Sequence, residues 1–346
     1  MAVKLVVDTA NLLFRVAAVN MKTAFGSAEE QAGLALHMAF KSVFMYYKKY
    51  KPDEIAFTFE GRNNWRKTYT KSKEAVSGNI YKANRVKDAS MEPYFELMDS
   101  FREVISNHTS LIVLCHDECE GDDMFSAYVQ KNTAEGHTVI GVSGDRDFVQ
   151  LYKNPNFMLI NPDTGKERNQ PGDKEYYEDI DYFVFKKCVR GDKGDYVFSA
   201  WPRVREDKIK KAFEDDQYRV QFMRETWNIK NDDGEVIKTN VVGELFEENK
   251  LLMDLTCQPP RIREIMMQTV EDASNNFSTY SNFHFLKFLG KHRLNSIAEH
   301  IDQYTDMLSC NTRYKRLLEK AAAGEAELPP SRNFKAKEKM KNLLEF

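Results

Sequence analysis

His137-Thr138-Val139-Ile140-Gly141-Val142-Ser143-Gly144-Asp145-Arg146-Asp147 is the stretch whose reading decides the fold. His137 to Val142 is β-rich and apolar, and it stops abruptly at Ser143-Gly144 and two acids. A short apolar run without polar alternation predicts a strand buried on both faces, as in a parallel sheet. The same pattern recurs on either side. Lys4 to Asp8 is an apolar strand ending in an acid. Glu54 to Glu60 is a second, and Ser110 to Cys115 a third that runs on to Glu120, Asp122 and Asp123. Phe157 to Ile160 is a fifth. Helical stretches lie between them: Ser27 to Lys51, with Leu34, Met38, Val43 and Tyr46 or Tyr47 near helical spacing; Pro93 to about Asn107; and Asp122 to about Asn132. Strand–helix alternation predicts an α/β fold, a central mainly parallel sheet covered by helices on both faces.

In such a sheet the carboxyl ends of the strands share one edge, where ligands bind. Asp8, Glu60, Glu120, Asp122, Asp123, Asp145 and Asp147 are therefore expected to converge there. An acid after a strand is often only a helix N-cap. Acids at four strand ends in succession are harder to explain that way. Their mutual repulsion calls for cations. Oxygen ligands without His or Cys point to Mg²⁺, or to Mn²⁺ in its place. Two such ions suit phosphodiester hydrolysis.

Beyond a linker at 161–181, rich in Pro, Gly and charge, β signals mostly stop. The second half is predicted helical, with one hairpin around Asn231-Asp232-Asp233-Gly234. This divides the chain into a sheet domain (1–181), a helical domain (182–320) with helix-turn-helix-like DNA binding, and a basic tail (321–346) expected to be flexible. With 346 residues, 42% of them hydrophobic, the chain can build a full core. A net charge of −3 neither favours nor excludes nucleic acid, because opposite charges can occupy separate regions. Five scattered cysteines fit reduced thiols rather than a disulfide framework. No signal peptide opens the sequence and no apolar run is long enough to span a bilayer, so a cytoplasmic protein without membrane contact, and a monomer, is expected. Cys115-His116-Asp117-Glu118-Cys119 lacks a second ligand pair and is not read as a zinc site. No phosphate-cradling P-loop is present.

Three stretches, in order, resemble the flap endonuclease / 5′-3′ exonuclease family. Glu120-Gly121-Asp122-Asp123 resembles its E-A-D-D motif. Ser143-Gly144-Asp145-Arg146-Asp147-Phe148-Val149-Gln150-Leu151 resembles S-x-D-x-D-x-x-Q-L, and Gly191-Asp192-Lys193-Gly194-Asp195 resembles G-D-x-x-D-N. Within the family, Lys187 to Asp192 and Glu247 to Asp254 resemble the ribonuclease H branch of the T-even bacteriophages. The resemblance, from about Val3 to Leu308, implies a PIN-like 5′-nuclease core. It implies a first metal held by Asp8, Glu60, Glu120 and Asp122. A second would be held by Asp145, Asp147 and Asp195, with Asp123 and Asp192 standing behind the direct ligands or binding through water. It implies cleavage of DNA or RNA–DNA strands from a 5′ end or flap, during phage replication. Family members carry Asp where this chain has Glu60, and Asn where it has Tyr196. The glycine-rich, potassium-binding hairpin of many relatives has no counterpart in Phe198 to Arg205, so Arg203, Arg205, Lys208, Lys210 and Lys211 are the expected duplex contacts.

The basic, aromatic segment Gly61 to Tyr69, continuing to Arg85, reads as too polar for core and suited to a single strand, with Arg66 among its cations. In the family this region, about 61–92 here, forms an arch. Tyr81-Lys82-Ala83-Asn84-Arg85 resembles the family's Y-K-x-N-R, which implies that Lys82 and Arg85 grip the scissile phosphate and Tyr81 stacks on a base. The tail's Leu343-Leu344-Glu345-Phe346 resembles the clamp-binding peptides of phage replication proteins. A sliding clamp and a single-strand-binding protein are the implied partners. The alternatives are a structure-specific nucleic-acid-binding module with weak catalysis and a small ribonuclease of the wider PIN-like class. Asp145, Asp147 and Asp195 speak against the first, and the helical second half against the second.

Overall fold

The computed structural model describes residues 1–15, 26–85, 88–275 and 278–325, without the side chains of residues 313–315 and 318. Five strands, β1 (Val3–Asp8), β2 (Glu54–Thr58), β3 (Ile112–Leu114), β4 (Thr138–Val142) and β5 (Phe157–Ile160), form one parallel sheet in the order β3-β2-β1-β4-β5. Side chains alternate across it, as strand geometry requires. Leu5, Val7, Ile55, Phe57, Ile140 and Val142 enter the core on one face, and Val6, Ala56, Val139 and Leu159 the core on the other.

Helices cover both faces. Residues 9–15 form α1, followed by α2 (Ala28–Tyr50), α3 (Trp65–Thr70), α4 (Glu92–His108), α5 (Gly121–Ala134) and α6 (Ile180–Arg190). The second half contributes α7 (Glu206–Glu214), α8 (Asp216–Arg224), α9 (Val242–Met253), α10 (Pro260–Asn275) and α11 (Asn282–Lys291), then α12 (Asn295–Ala298), α13 (Thr305–Leu308) and α14 (Thr312–Ala322). Phe285, Phe288 and Met307 join α2 and α4 on the first face, whereas Val242, Phe246, Met266 and Val270 join α5 on the second. The helical half thus completes both cores. Among the described residues no helix is long and apolar enough to cross a membrane.

Helix α2 starts and stops where its sequence directs. Ser27 and Glu30 form a reciprocal capping box, and Lys51 closes the end in the left-handed region at φ 47°. Its buried face is partly the expected one: Val43 and Tyr46 are buried, but Leu34 and Met38 are 48% and 46% exposed, and Leu36, Phe40 and Phe44 turn inward with Ala32, Ala35 and Ala39 instead. The alanines set among these larger side chains let the helix approach its neighbours closely. The hairpin is the antiparallel pair β6 (Thr226–Lys230) and β7 (Val236–Val241), turned at Gly234 with φ 82°.

At the amino-terminal edge of the sheet a polar strut is buried. Lys4 Nζ lies 3.0 Å from Glu54 Oε1 and donates to Asn132 Oδ1 at 2.6 Å, while Tyr128 Oη donates to Glu54. Every member has a partner, so the buried charges are compensated.

Gly141 sits at the tightest point of β4. A Cβ there would stand 2.6 Å from Phe125 Cζ and 3.0 Å from Phe157 Cε2, both ring atoms in core packing. Gly141→Ala is expected to lose about 1–3 kcal/mol through overpacking. Urea unfolding followed by circular dichroism would show this as a lower midpoint with an unchanged slope.

Candidate active site

The carboxyl edge of the sheet gathers acids as the strand pattern predicts. Asp8 ends β1 and caps α1, its Oδ1 accepting the Asn11 N–H at 3.0 Å. Its other oxygen accepts Ser143 Oγ–H at 2.7 Å, fixing Asp8 against the end of β4. Ser143 Oγ then accepts the Asp145 N–H at 2.9 Å, and Asp145 Oδ1 accepts the Asp147 N–H at 2.8 Å. Glu60 Oε2 accepts the Gly121 N–H at 3.1 Å, which ties the end of β2 to the start of α5. Glu120 and Asp123 form a capping box there, with Asp122 between them in the first turn. A helix N-terminus favours such anions. Asp192 and Asp195 arrive from the turn after α6, where Asp192 Oδ1 accepts the Gly194 N–H at 2.7 Å.

Electrostatics show how closely these acids crowd. Burial pushes the Asp8 carboxyl up to about 6, with Asp145 adding repulsion and hydrogen bonds from Asn11 and Ser143 opposing. Desolvation and then Glu120 raise Glu60 to about 7, although solvent still reaches part of this side chain. Burial, followed by the charges of Asp8 and Asp145, holds Asp122 well above the ordinary carboxylate range. Asp147 is raised by burial against the opposing pull of Lys187.

Two lysines and an arginine stand among the acids. Lys82, in the left-handed region at φ 55°, donates to Glu120 and lies 3.8 Å from Asp195 Oδ2. Arg85 Nη2 donates to Asp195 Oδ1 at 2.8 Å. Lys187 Nζ donates to Asp147 and lies 3.6 Å from Asp192. Burial would raise Asp195, but Lys82, Tyr81 and Arg85 together hold it below its usual value. Asp8, Glu60 and Asp122 all feel the opposing charge of Lys82. This donor set fits a hard divalent cation by charge and by its all-oxygen chemistry. Among the described residues, however, no three His, Cys, Asp or Glu side chains close into a ligand cage.

Three expectations are corrected by burial. Arg66 is 1% exposed and cannot reach nucleic acid. Its Nε donates to Leu252 O at 2.7 Å, Nη1 to Glu120 Oε2 at 3.1 Å and Asp123 Oδ2 at 2.8 Å, and Nη2 to Asp123 Oδ1 at 2.8 Å. Asp123 is fully buried and is not placed as a metal ligand. Besides Arg66, it accepts from Trp65 Nε1 at 3.1 Å, the Glu120 N–H at 3.1 Å and Gln258 Nε2 at 3.3 Å. Burial would raise its carboxyl, but Arg66 overrides that and lowers it. Tyr81 is also buried, its hydroxyl bonded to Glu120 at 3.1 Å and Asp195 at 2.8 Å, so its ring is not free to stack on a base. The segment read as too polar for core is thus partly core. Its guanidinium is neutralised by the acids of α5, a pairing that composition alone does not reveal.

Other residues were not found from the sequence. Glu248 is buried on α9 and accepts the N–H groups of Val76 and Ser77, while Lys238 of β7 donates to their carbonyls at 2.7 and 3.1 Å. Together they clip down the loop that leads from α3 to Tyr81 and Lys82. Lys187 has a legible signal, a basic residue in the last helical turn before Gly191-Asp192. The expected duplex contacts lie on the surface: Arg203, Arg205, Lys210 and Lys211 are exposed and Lys208 half-buried, 5.2 Å over the ring of Trp201. Arg205 and Lys210 have only surface partners, Asp207 and Glu214. Leu343 to Phe346, expected from the sequence to bind a clamp, lie outside the described residues.

A parallel sheet with acids at its carboxyl edge, facing cations on a following helix and turn, defines a class. The chain belongs to the 5′-3′ exonuclease family, whose N-terminal, resolvase-like domain matches residues 3–180. Among characterised relatives it is similar to the ribonuclease H of enterobacteria phage T4, 30% identical over 190 residues, which is 53% of this chain and 60% of that protein. The match therefore spans less than two thirds of the relative's length. In three dimensions the chain resembles the metal-bound protein and the zinc-bound 5′-exonuclease of phage T5. Each has a TM-score of 0.55, at 17% and 18% identity, with 78% of this chain and 99% of that one covered. A complex of the phage T5 flap endonuclease with DNA and metal ions superimposes with a TM-score of 0.52 at 17% identity, over 78% of this chain and 98% of that one. These likenesses establish the fold.

Two outcomes follow from the charges. Arg66→Met leaves Asp123 buried without its counter-ion and is expected to cost about 3–5 kcal/mol. A variant equally stable to urea but weaker in DNA binding would restore Arg66 to the surface. The second concerns pH. Asp8 and Glu60 have folded values of about 6 and about 7, above the roughly 4 of the unfolded chain. Their contribution to stability is full below the unfolded value and is lost as pH rises through the folded one. In EDTA the melting temperature should therefore fall between about pH 4 and pH 7 from these groups, and added Mg²⁺ should flatten the fall. A metal-free profile without that slope would contradict the crowding.

Proposed function

We propose that this protein is a divalent-metal-dependent 5′-3′ exonuclease and flap endonuclease that hydrolyses phosphodiesters of DNA and RNA–DNA duplexes. The observation that carries the reading is the meeting of Asp8, Glu60, Asp122 and Asp145 at one sheet edge, with Lys82 acting on them from its pair with Glu120 and Arg85 paired with Asp195. Family membership and the DNA complex of the phage T5 relative support it. In this reading residues 1–181, completed by Asp192 and Asp195, carry the chemistry and the rest of residues 182–320 holds the duplex. The physiological task is removal of RNA primers and flaps during phage replication.

Asp8, Glu60, Glu120 and Asp122 would hold one Mg²⁺, and Asp145, Asp147 and Asp195 a second, with Asp192 acting through water. Bound there, the ions supply an activated water and charge stabilisation at the phosphate. The chain's own residues supply the rest. Lys82 and Arg85 are already paired with Glu120 and Asp195, so an arriving phosphate can share cations that are held in place. Tyr81 and Arg66 keep Glu120 pointed at the sheet edge through fixed hydrogen bonds. Arg203, Arg205, Lys208, Lys210 and Lys211 contact the duplex backbone through phosphates, independently of sequence.

A 5′-labelled flap and an RNA–DNA hybrid, incubated with Mg²⁺ or with EDTA, test the proposal. Short products from the 5′ end are expected only with metal. Asp145→Ala and Lys82→Ala should each slow cleavage about 100-fold or more, the scale of losing one group that stabilises the transition state. Tight flap binding without cleavage in Mg²⁺ or Mn²⁺ would instead favour a structure-specific binding module.

A further inference from the structure

The turn from Gly191 to Phe198 carries two aromatic rings that neither the core nor the chemistry above uses. Its backbone is fixed. Asp192 and Val197 exchange two hydrogen bonds of 2.8 Å, and Gly191 has φ 69° in a space where a Cβ would stand 2.5 Å from Val197 O. Asn249 of α9 donates to Phe198 O at 2.8 Å. On the other side the Lys82 N–H donates to Asp195 O at 2.8 Å and Asn84 Nδ2 to Lys193 O at 3.2 Å. The turn is therefore locked against the segment that presents Lys82 and Arg85.

Side chains alternate along its return limb. Val197 is buried, whereas Tyr196 and Phe198 are 38% and 44% exposed. The two rings meet edge to face with centroids 5.1 Å apart. This arrangement, unlike a stack, cannot cover the faces of both rings. Tyr196 adopts φ 60°, a left-handed conformation that is strained for a bulky side chain. Core packing does not repay that strain, because the ring points outward. Tyr196 directly follows Asp195, whose carboxylate holds the half-exposed Arg85. Arg85 and Lys193 bring positive charge to the same rim.

We propose that Tyr196 and Phe198 form the base-stacking platform of the site, taking a nucleobase of the substrate strand beside the phosphate gripped by Lys82 and Arg85. The inference rests on the nuclease reading and replaces Tyr81, which is buried, as the stacking group. An aromatic face accepts any base, so the platform anchors the strand without reading sequence. A rigid turn loses little conformational freedom on binding, which favours stacking.

The test uses the full chain and a 5′-flap DNA carrying 2-aminopurine at each nucleotide flanking the cleavage position in turn, bound in Ca²⁺. Stacking on the wild type should quench the probe at one of these positions. Tyr196→Asn relieves the left-handed strain, so its melting temperature should be unchanged or higher. Its flap affinity should nevertheless fall about 5- to 150-fold, the equivalent of one lost stacked base at 1–3 kcal/mol, and the quench should disappear. Phe198→Ala should weaken both, Tyr196→Phe should keep both, and Tyr196→Leu should behave like the Asn variant. Wild-type affinity and quench in Tyr196→Asn, or full function in Tyr196→Leu, would overturn the platform. Quenching by a wild type that never cuts in Mg²⁺ would sink the nuclease reading alone. Cleavage by a wild type that quenches at none of the positions would sink the platform alone.

Discussion

The structure depends on one electrostatic problem: a parallel sheet delivers the ends of all its strands to a single edge, and this chain ends its strands in acids. Asp8, Glu60, Asp122 and Asp145 come close enough to repel one another. Much of what surrounds the edge is a response to that repulsion. The α5 N-terminus offers the Gly121 N–H to Glu60, and the Ser143 hydroxyl donates a hydrogen bond to Asp8. Lys82, Arg85 and Lys187 come from outside the sheet to meet the remaining oxygens. A site assembled this way is held together by charges drawn from distant parts of the sequence, which explains why the helical half is built into it.

The cations divide the site into two kinds of acid. Asp123 and Asp195 are stabilised as anions by guanidinium and ammonium partners. Asp8, Glu60 and Asp122 remain raised, because burial and mutual repulsion exceed what Lys82 offsets. The first group is already balanced by neighbouring cations, whereas the second is not. That separation falls between neighbours: Asp122 and Asp123 are adjacent in sequence and opposite in behaviour, because successive helical residues face different directions.

Much of this was legible in the sequence. The strand endings at Asp8, Val142 and Ile160, the span of α2 from Ser27 to Lys51 and the turn at Gly234 are local signals, and local physics decides them. The gathering of the acids followed from one topological rule about parallel sheets. What escaped was set by partners far along the chain. Arg66 looks like a surface cation until Glu120, Asp123 and the carbonyl of Leu252 are placed around it. Tyr81 looks like a stacking ring until its hydroxyl is seen between two carboxylates. The first half of the α2 stripe was misplaced because the helix carries apolar residues on more than one side: Leu36 and Phe40 turn inward where Leu34 and Met38 were expected, and only the packed neighbours decide between them.

The buried arginine has a consequence for how the sequence can vary. Arg66, Asp123 and Glu120 share hydrogen bonds while all three are buried, and Trp65 lies 4.6 Å beneath the guanidinium. A change at any one strands the charge of another, so these positions are not free to drift singly. Descendants that lose the arginine must lose or neutralise Asp123 as well, and must find Glu120 another neighbour. Over generations the three should be inherited as one character, although fifty-odd residues separate the first from the others.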